Sequence, residues 1–122
     1  MDYKGEVILE SLSDRTVLDD LFIVKTKSVK VDENHQTPWL KHWTIHIVEI
    51  PKKIINQTVL KIAKALEGKH PWYADFKNDK NHIIIFKNRI FTIDREKPDQ
   101  YNQAIEYGVG LGIPKHQLDF SL

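Results

Sequence analysis

The sequence predicts an α+β fold: a mainly antiparallel sheet with two helices on one face, in the core order β-α-β-β-β-α, preceded by an N-terminal strand region. Three observations carry that prediction. The hydrophobic period switches from two to about 3.6 at Pro51; a β-meander follows Gly68; and 122 residues suffice for one hydrophobic core and for little more. Neither internal repeats nor Gly/Ser linkers interrupt the chain, so residues 1–122 are read as a single domain.

Residues 7–9 form a short strand candidate, and residues 13–21 a short helix capped by Ser and Asp. Residues 21–31 are rich in β-branched side chains and stop before Asp32-Glu33-Asn34, which predicts an edge strand with Lys25, Lys27 and Lys30 exposed. After a loop through Pro38, residues 43–50 alternate: Trp43, Ile45 and Ile47 point one way, Thr44, His46 and Val48 the other. Pro51 opens a helix in which Ile55, Val59, Ile62 and Leu66 recur at helical spacing, with Lys53, Lys61 and Lys64 outside and Gly68 as left-handed terminator. Strands are then predicted at 72–76, 82–86 and 90–94, joined at Asn78-Asp79 and by a tight turn at Lys87-Asn88. Ile83-Ile84-Ile85-Phe86 is apolar on both faces, so that strand is central and covered on each side. Pro98 and Asp99 start the last helix, which turns Tyr101, Ala104, Ile105 and Val109 inward and ends near Gly112-Ile113-Pro114.

Composition narrows the function classes. Eighteen Lys and Arg nearly balance seventeen Asp and Glu, and the net charge of +1 gives the whole molecule no reason to seek a polyanion. Residues 52–89 depart from that balance, with nine basic and three acidic side chains among Trp72, Tyr73, Phe76 and Phe86. A single-stranded nucleic-acid platform would use such a mixture, yet alternation buries most of those aromatics, so nucleic acid is not the expected partner and single-strand binding through residues 52–89 stands as a second alternative function. No cysteine is present, which removes thiolate chemistry and disulfides and fits a cytoplasmic location. The first twelve residues lack an apolar signal-peptide core and no 18-residue apolar run exists, so neither export nor membrane insertion is expected.

Thr37-Pro38-Trp39-Leu40, Trp43-Thr44-Ile45-His46, Trp72-Tyr73-Ala74-Asp75-Phe76-Lys77-Asn78, Phe86-Lys87-Asn88, and Gly112-Ile113-Pro114 running to Gln117-Leu118-Asp119-Phe120 span most of the chain. Together they resemble a group of small uncharacterised bacterial and archaeal proteins of similar length. That resemblance implies no activity, cofactor or catalytic residue.

Familiar chemistries lack their motifs. His42 and His46 stand four apart on a strand, roughly 13 Å at 3.3 Å per residue, too far for one metal; His35 and His70 read as exposed loop residues, and neither a metal nor a cofactor is expected. Gly108-Val109-Gly110-Leu111-Gly112 ends a helix instead of opening one, so a phosphate would meet the wrong end of the dipole. No Gly-x-Ser-x-Gly or Walker motif occurs.

What remains is a facing argument. If Trp43, Ile45, Ile47, Trp72, Phe76, Phe91 and Ile93 pack under the helices, then Thr44, His46, Tyr73, Asp75 and Thr92 emerge together on the open sheet face. The expected function is a small binding or interaction domain using that face for a small molecule or protein. An acid–base enzyme is the alternative, with His46 and Asp75 as the catalytic pair and Tyr73 as hydrogen-bond donor. A homodimer is expected through the Trp39-Leu40 loop and the edge strand, which could otherwise cover the site.

Overall fold

A computed structural model describes residues 2–31, 40–118 and 120. Six strands, β1 (Tyr3–Ile8), β2 (Phe22–Lys30), β3 (His42–Ile50), β4 (Tyr73–Lys77), β5 (Asn81–Phe86) and β6 (Arg89–Asp94), form one open antiparallel sheet in the order β2-β3-β1-β4-β5-β6. Two helices, α1 (Ile55–Ala65) and α2 (Tyr101–Gly110), complete the α+β fold. The order β3-α1-β4-β5-β6-α2 is the one predicted, with β1 and β2 as the N-terminal strand region. No helix among the described residues is long and apolar enough to cross a membrane.

The helices do not share a face. Ile55, Val59, Ile62 and Leu66 are all buried, and α1 packs them against Val7, Val48, Ala74, Phe76, Ile83 and Ile85. On the other side, Ala104 of α2 belongs to a separate cluster with Ile84, Phe86, Ile93, Ile113, Leu118 and Phe120. Neighbouring residues of β5 thus face different helices, because side chains alternate across a strand. All five positions from His82 to Phe86 are buried, as a strand covered on both sides requires. The expectation of two helices on one face is corrected accordingly. Phe91 and Ile93 go to the α2 side, and Val109 is exposed rather than inward.

Several terminators also differ from expectation. Pro51 leads into a 3-10 turn, Lys52–Ile54, before α1 begins. The C-terminal end of α1 needs no left-handed glycine: Leu66 is extended (φ −59°, ψ 133°) and the chain pairs with the N-terminal segment, Ser13 N–H donating to the Ala65 carbonyl at 2.7 Å and Glu67 N–H to that of Ser11 at 2.8 Å. Residues 13–21 contain only the 3-10 turn Arg15–Leu18, its N-terminus capped by Asp14. Gly112 does adopt a positive φ, +100°, where the chain turns after α2. Asn88 takes φ 59° in the tight β5–β6 turn, a conformation asparagine tolerates. Gly5 has a different task. A methyl group there would lie 1.8 Å from the Asp75 carbonyl oxygen, so only glycine lets β1 and β4 approach this closely. The Asp32-Glu33-Asn34 turn, the loop through Pro38, His35 and Trp39 lie outside the described residues.

Candidate functional site

Register decides which of the expected site residues meet. β3 and β4 flank β1 on either side, so they approach across one intervening strand. His46 pairs with Val7, whereas Asp75 pairs with Glu6, the next residue along β1. Successive residues of β1 point to opposite faces, so His46 lies on the α1 side of the sheet and Asp75 on the α2 side. The expected His46–Asp75 pair is therefore not formed. His46 instead bonds Thr26 Oγ1 through Nδ1 at 2.7 Å. Thr44 shares the His46 face and is held by Glu10, which accepts from its backbone N–H at 2.6 Å and from its hydroxyl at 2.9 Å. Thr92 pairs with Ile83, on the α1 side, and is exposed near the far edge. Only Tyr73 and Asp75 stay together.

Those two residues line a cavity of about 490 Å³ on the α2 side. α2 covers the β4-β5-β6 half of this face, and the cavity opens where its cover ends. Glu6 and Ile8 of β1 with Ile45 of β3 form the floor beside Tyr73 and Asp75; Trp43 and Trp72 form a wall; Ile113, His116 and Gln117 close the rim. The Trp rings meet edge to face, 5.8 Å between centroids and 64° between planes. The Trp72 indole N–H donates to Glu67 Oε1 at 2.8 Å, which fixes the ring; His70 Nδ1 lies 2.6 Å from the same oxygen. Burial raises the Glu67 pKa, but the bonds from His70, Trp72 and the Lys69 backbone outweigh it and hold the carboxyl below its ordinary value.

The polar side of the cavity is fixed from behind. Asp75 Oδ2 lies 2.6 Å from Nε2 of His82, whose side chain is 2% exposed, and His82 Nδ1 lies 2.9 Å from the Tyr101 hydroxyl. With the Asp75 oxygen as acceptor, Nε2–H is the donor, and the tautomer that carries this proton leaves Nδ1 to accept from the Tyr101 hydroxyl. Burial raises the Tyr101 pKa and Asp75 adds to it, against the opposing pull of Arg95. The Tyr73 hydroxyl donates to the Gln117 carbonyl, and its ring meets Phe120 at 5.4 Å, tying the C-terminal segment to the sheet.

The histidine against Asp75 is thus His82, which the sequence offers only as the first residue of the predicted strand 82–86. Glu6 and the Trp43–Trp72 wall were likewise not foreseen. Their signal is parity: once β1 is paired to β4, Glu6, Tyr73 and Asp75 share one face. β2 lies at the sheet edge beyond β3 and does not cover the cavity. In the basic segment, Phe76 and Phe86 are fully buried and present no face for base stacking.

No family model, no curated protein and no solved structure matches the chain.

Proposed function

We propose that the protein is a small cytoplasmic binding module whose functional surface is the uncovered half of the sheet, with the cavity at its boundary as the ligand seat. The cavity itself carries this reading. Its volume of about 490 Å³ falls in the range of small-molecule sites, and it combines an aromatic and aliphatic lining with a few fixed polar groups. A thermal-shift screen of a fragment library followed by amide NMR mapping tests it. Hits should perturb Trp43, Trp72 and Tyr73, and a ligand at 100-fold its Kd should add about 2.7 kcal/mol of stability. A screen whose hits all map elsewhere, or that finds none, overturns the reading.

The second reading is acid–base catalysis with Asp75 as the base. It is favoured by the 2.6 Å contact between Asp75 and His82, which holds in place the carboxylate of a residue that lines the cavity. Turnover of a screened ligand that disappears in Asp75→Asn while binding persists would distinguish this from binding alone.

The cytoplasmic assignment rests on the absence of cysteine. A homodimer formed along β2 completes the proposal. It is supported by the position of β2 at the sheet edge and by the exposure of Phe22, Ile23 and Val24 at 66%, 39% and 42%. A monomer mass in sedimentation up to near-millimolar concentration would refute it.

A further inference from the structure

Building on the ligand-seat reading, we propose that the cavity takes an organic cation: an ammonium or guanidinium group carried on an apolar, preferably aromatic, body. The sheet places two acidic residues side by side on adjacent strands of the floor, with one carboxylate bonded toward Lys27 on β2 and the other toward His82 on β5. Glu6 stands directly opposite Asp75 in the β1–β4 register, and opposed residues in adjacent antiparallel strands hold their Cβ atoms about 4.5–5.5 Å apart. Like charges so placed repel, and a cation between them relieves the repulsion.

The chain answers this repulsion only in part. Lys27 reaches Glu6 Oε1 at 3.3 Å, but the two side chains are 42% and 51% exposed, so water and salt screen the bridge and a ligand can displace it. On the other strand, His82 engages Oδ2 of Asp75, whose side chain is 31% exposed and lines the cavity, so Oδ1 is the oxygen offered to a ligand. A bound ammonium thus gains both carboxylates. The titratable groups lining the cavity are Glu6, Asp75, Tyr73 and His116; Lys27 and His82 pair with the carboxylates, and Lys4 and Lys77 stand one register pair further along the same sheet face, outside the lining.

The remaining walls suit the rest of such a molecule. Aromatic faces attract cations, and the partly exposed Trp43 lines the same cavity as the carboxylates, backed edge to face by the nearly buried Trp72. Ile8, Ile45 and Ile113 offer an apolar lining for the body. An anionic ligand would meet two carboxylates at the floor. A metal ion fits poorly, since no group of three or more His, Cys, Asp or Glu capable of holding one gathers among the described residues.

Three probes of one shape separate charge from shape: 2-phenylethylamine, 2-phenylethanol and phenylacetate. Each is titrated into the full chain at pH 7.5, and the indole N–H resonances of Trp43 and Trp72 are followed by NMR. The amine is expected to bind at least tenfold tighter than the alcohol, and phenylacetate weakest of the three. Glu6→Gln and Asp75→Asn should each weaken the amine tenfold or more and leave the alcohol unchanged, whereas Lys27→Met should tighten the amine. Equal affinity of amine and alcohol at these indoles overturns the cation inference while the ligand seat stands. The cation inference also falls if none of the three shifts the indoles or if a folded Glu6→Gln binds the amine as wild type does; the fragment screen then decides the seat separately.

Discussion

Gly5→Ala tests the structure at the point on which both fold and site depend. The new methyl carbon would lie 1.8 Å from the Asp75 carbonyl oxygen and 2.8 Å from the Phe76 Cα, backbone atoms that no rotamer change can move. Restoring ordinary van der Waals contact requires β1 and β4 to part by roughly 1.5 Å. That displacement breaks the ladder through Lys4–Lys77, Gly5–Phe76 and Glu6–Asp75. Overpacking costs about 1–3 kcal/mol and each lost ladder bond about 1 kcal/mol, so the expected loss is about 3–5 kcal/mol. Such a loss is a large fraction of the stability of an ordinary domain and corresponds to a melting temperature lower by more than about 10 °C. Urea and thermal unfolding followed by circular dichroism measure it, with Gly68→Ala as the control: nothing lies within 4 Å of a methyl group there, and its effect should stay within about 0.5 kcal/mol. If Gly5→Ala unfolds like wild type, or if the two alanine variants lose equally, the close approach of β1 and β4 is wrong and the Glu6–Asp75 juxtaposition goes with it.

Ile62→Ala should cost about 2–5 kcal/mol in urea unfolding because the side chain is fully buried in α1, while Lys61→Ala stays within about 0.5 kcal/mol; equal costs would mean the helix faces are misassigned. His82→Leu should cost about 2–4 kcal/mol by leaving Asp75 and Tyr101 without their shared partner; a NMR spectrum of wild type showing His82 protonated on Nδ1 alone would contradict the bonding described. Glu67, whose folded pKa lies below its unfolded value, contributes stability that is complete above the usual glutamate range and is lost as the pH falls through the folded pKa. Glu67→Gln should therefore flatten the decline in melting temperature between pH 6 and pH 3, and an unchanged profile would remove that carboxylate from the account.

The elements were legible where period and turn chemistry agree. Ile55, Val59, Ile62 and Leu66 declare α1, and the Lys87-Asn88 turn declares the β5–β6 hairpin; both are found. The same reading contained the evidence against one-sided helices. A strand apolar at Ile83, Ile84, Ile85 and Phe86 demands cover on both faces, and α2 with the residues after it provides the second. The site failed on parity. Composition fixes which residues of β3 alternate together, but only the β1 register ties that alternation to β4, and β1 itself was underestimated because Gly5 and Glu6 weaken its strand signal. Tyr73 and Asp75 kept their shared face because they belong to one strand.

The position of β1 also governs how the fold can assemble. The β4-β5-β6 meander and the β2–β3 pair each bring together residues close in sequence, whereas β1 joins the two groups by pairing with residues 45–50 and 75–77. Closing those long loops spends chain entropy before any of the sheet's central contacts repay it. The locally paired halves are therefore free to form early, and docking of the N-terminal strand between them becomes the slow, high-contact-order event of folding. Until it occurs the inner edges of β3 and β4 stay unpaired, so the interval before docking is when the chain is most open to association with other chains.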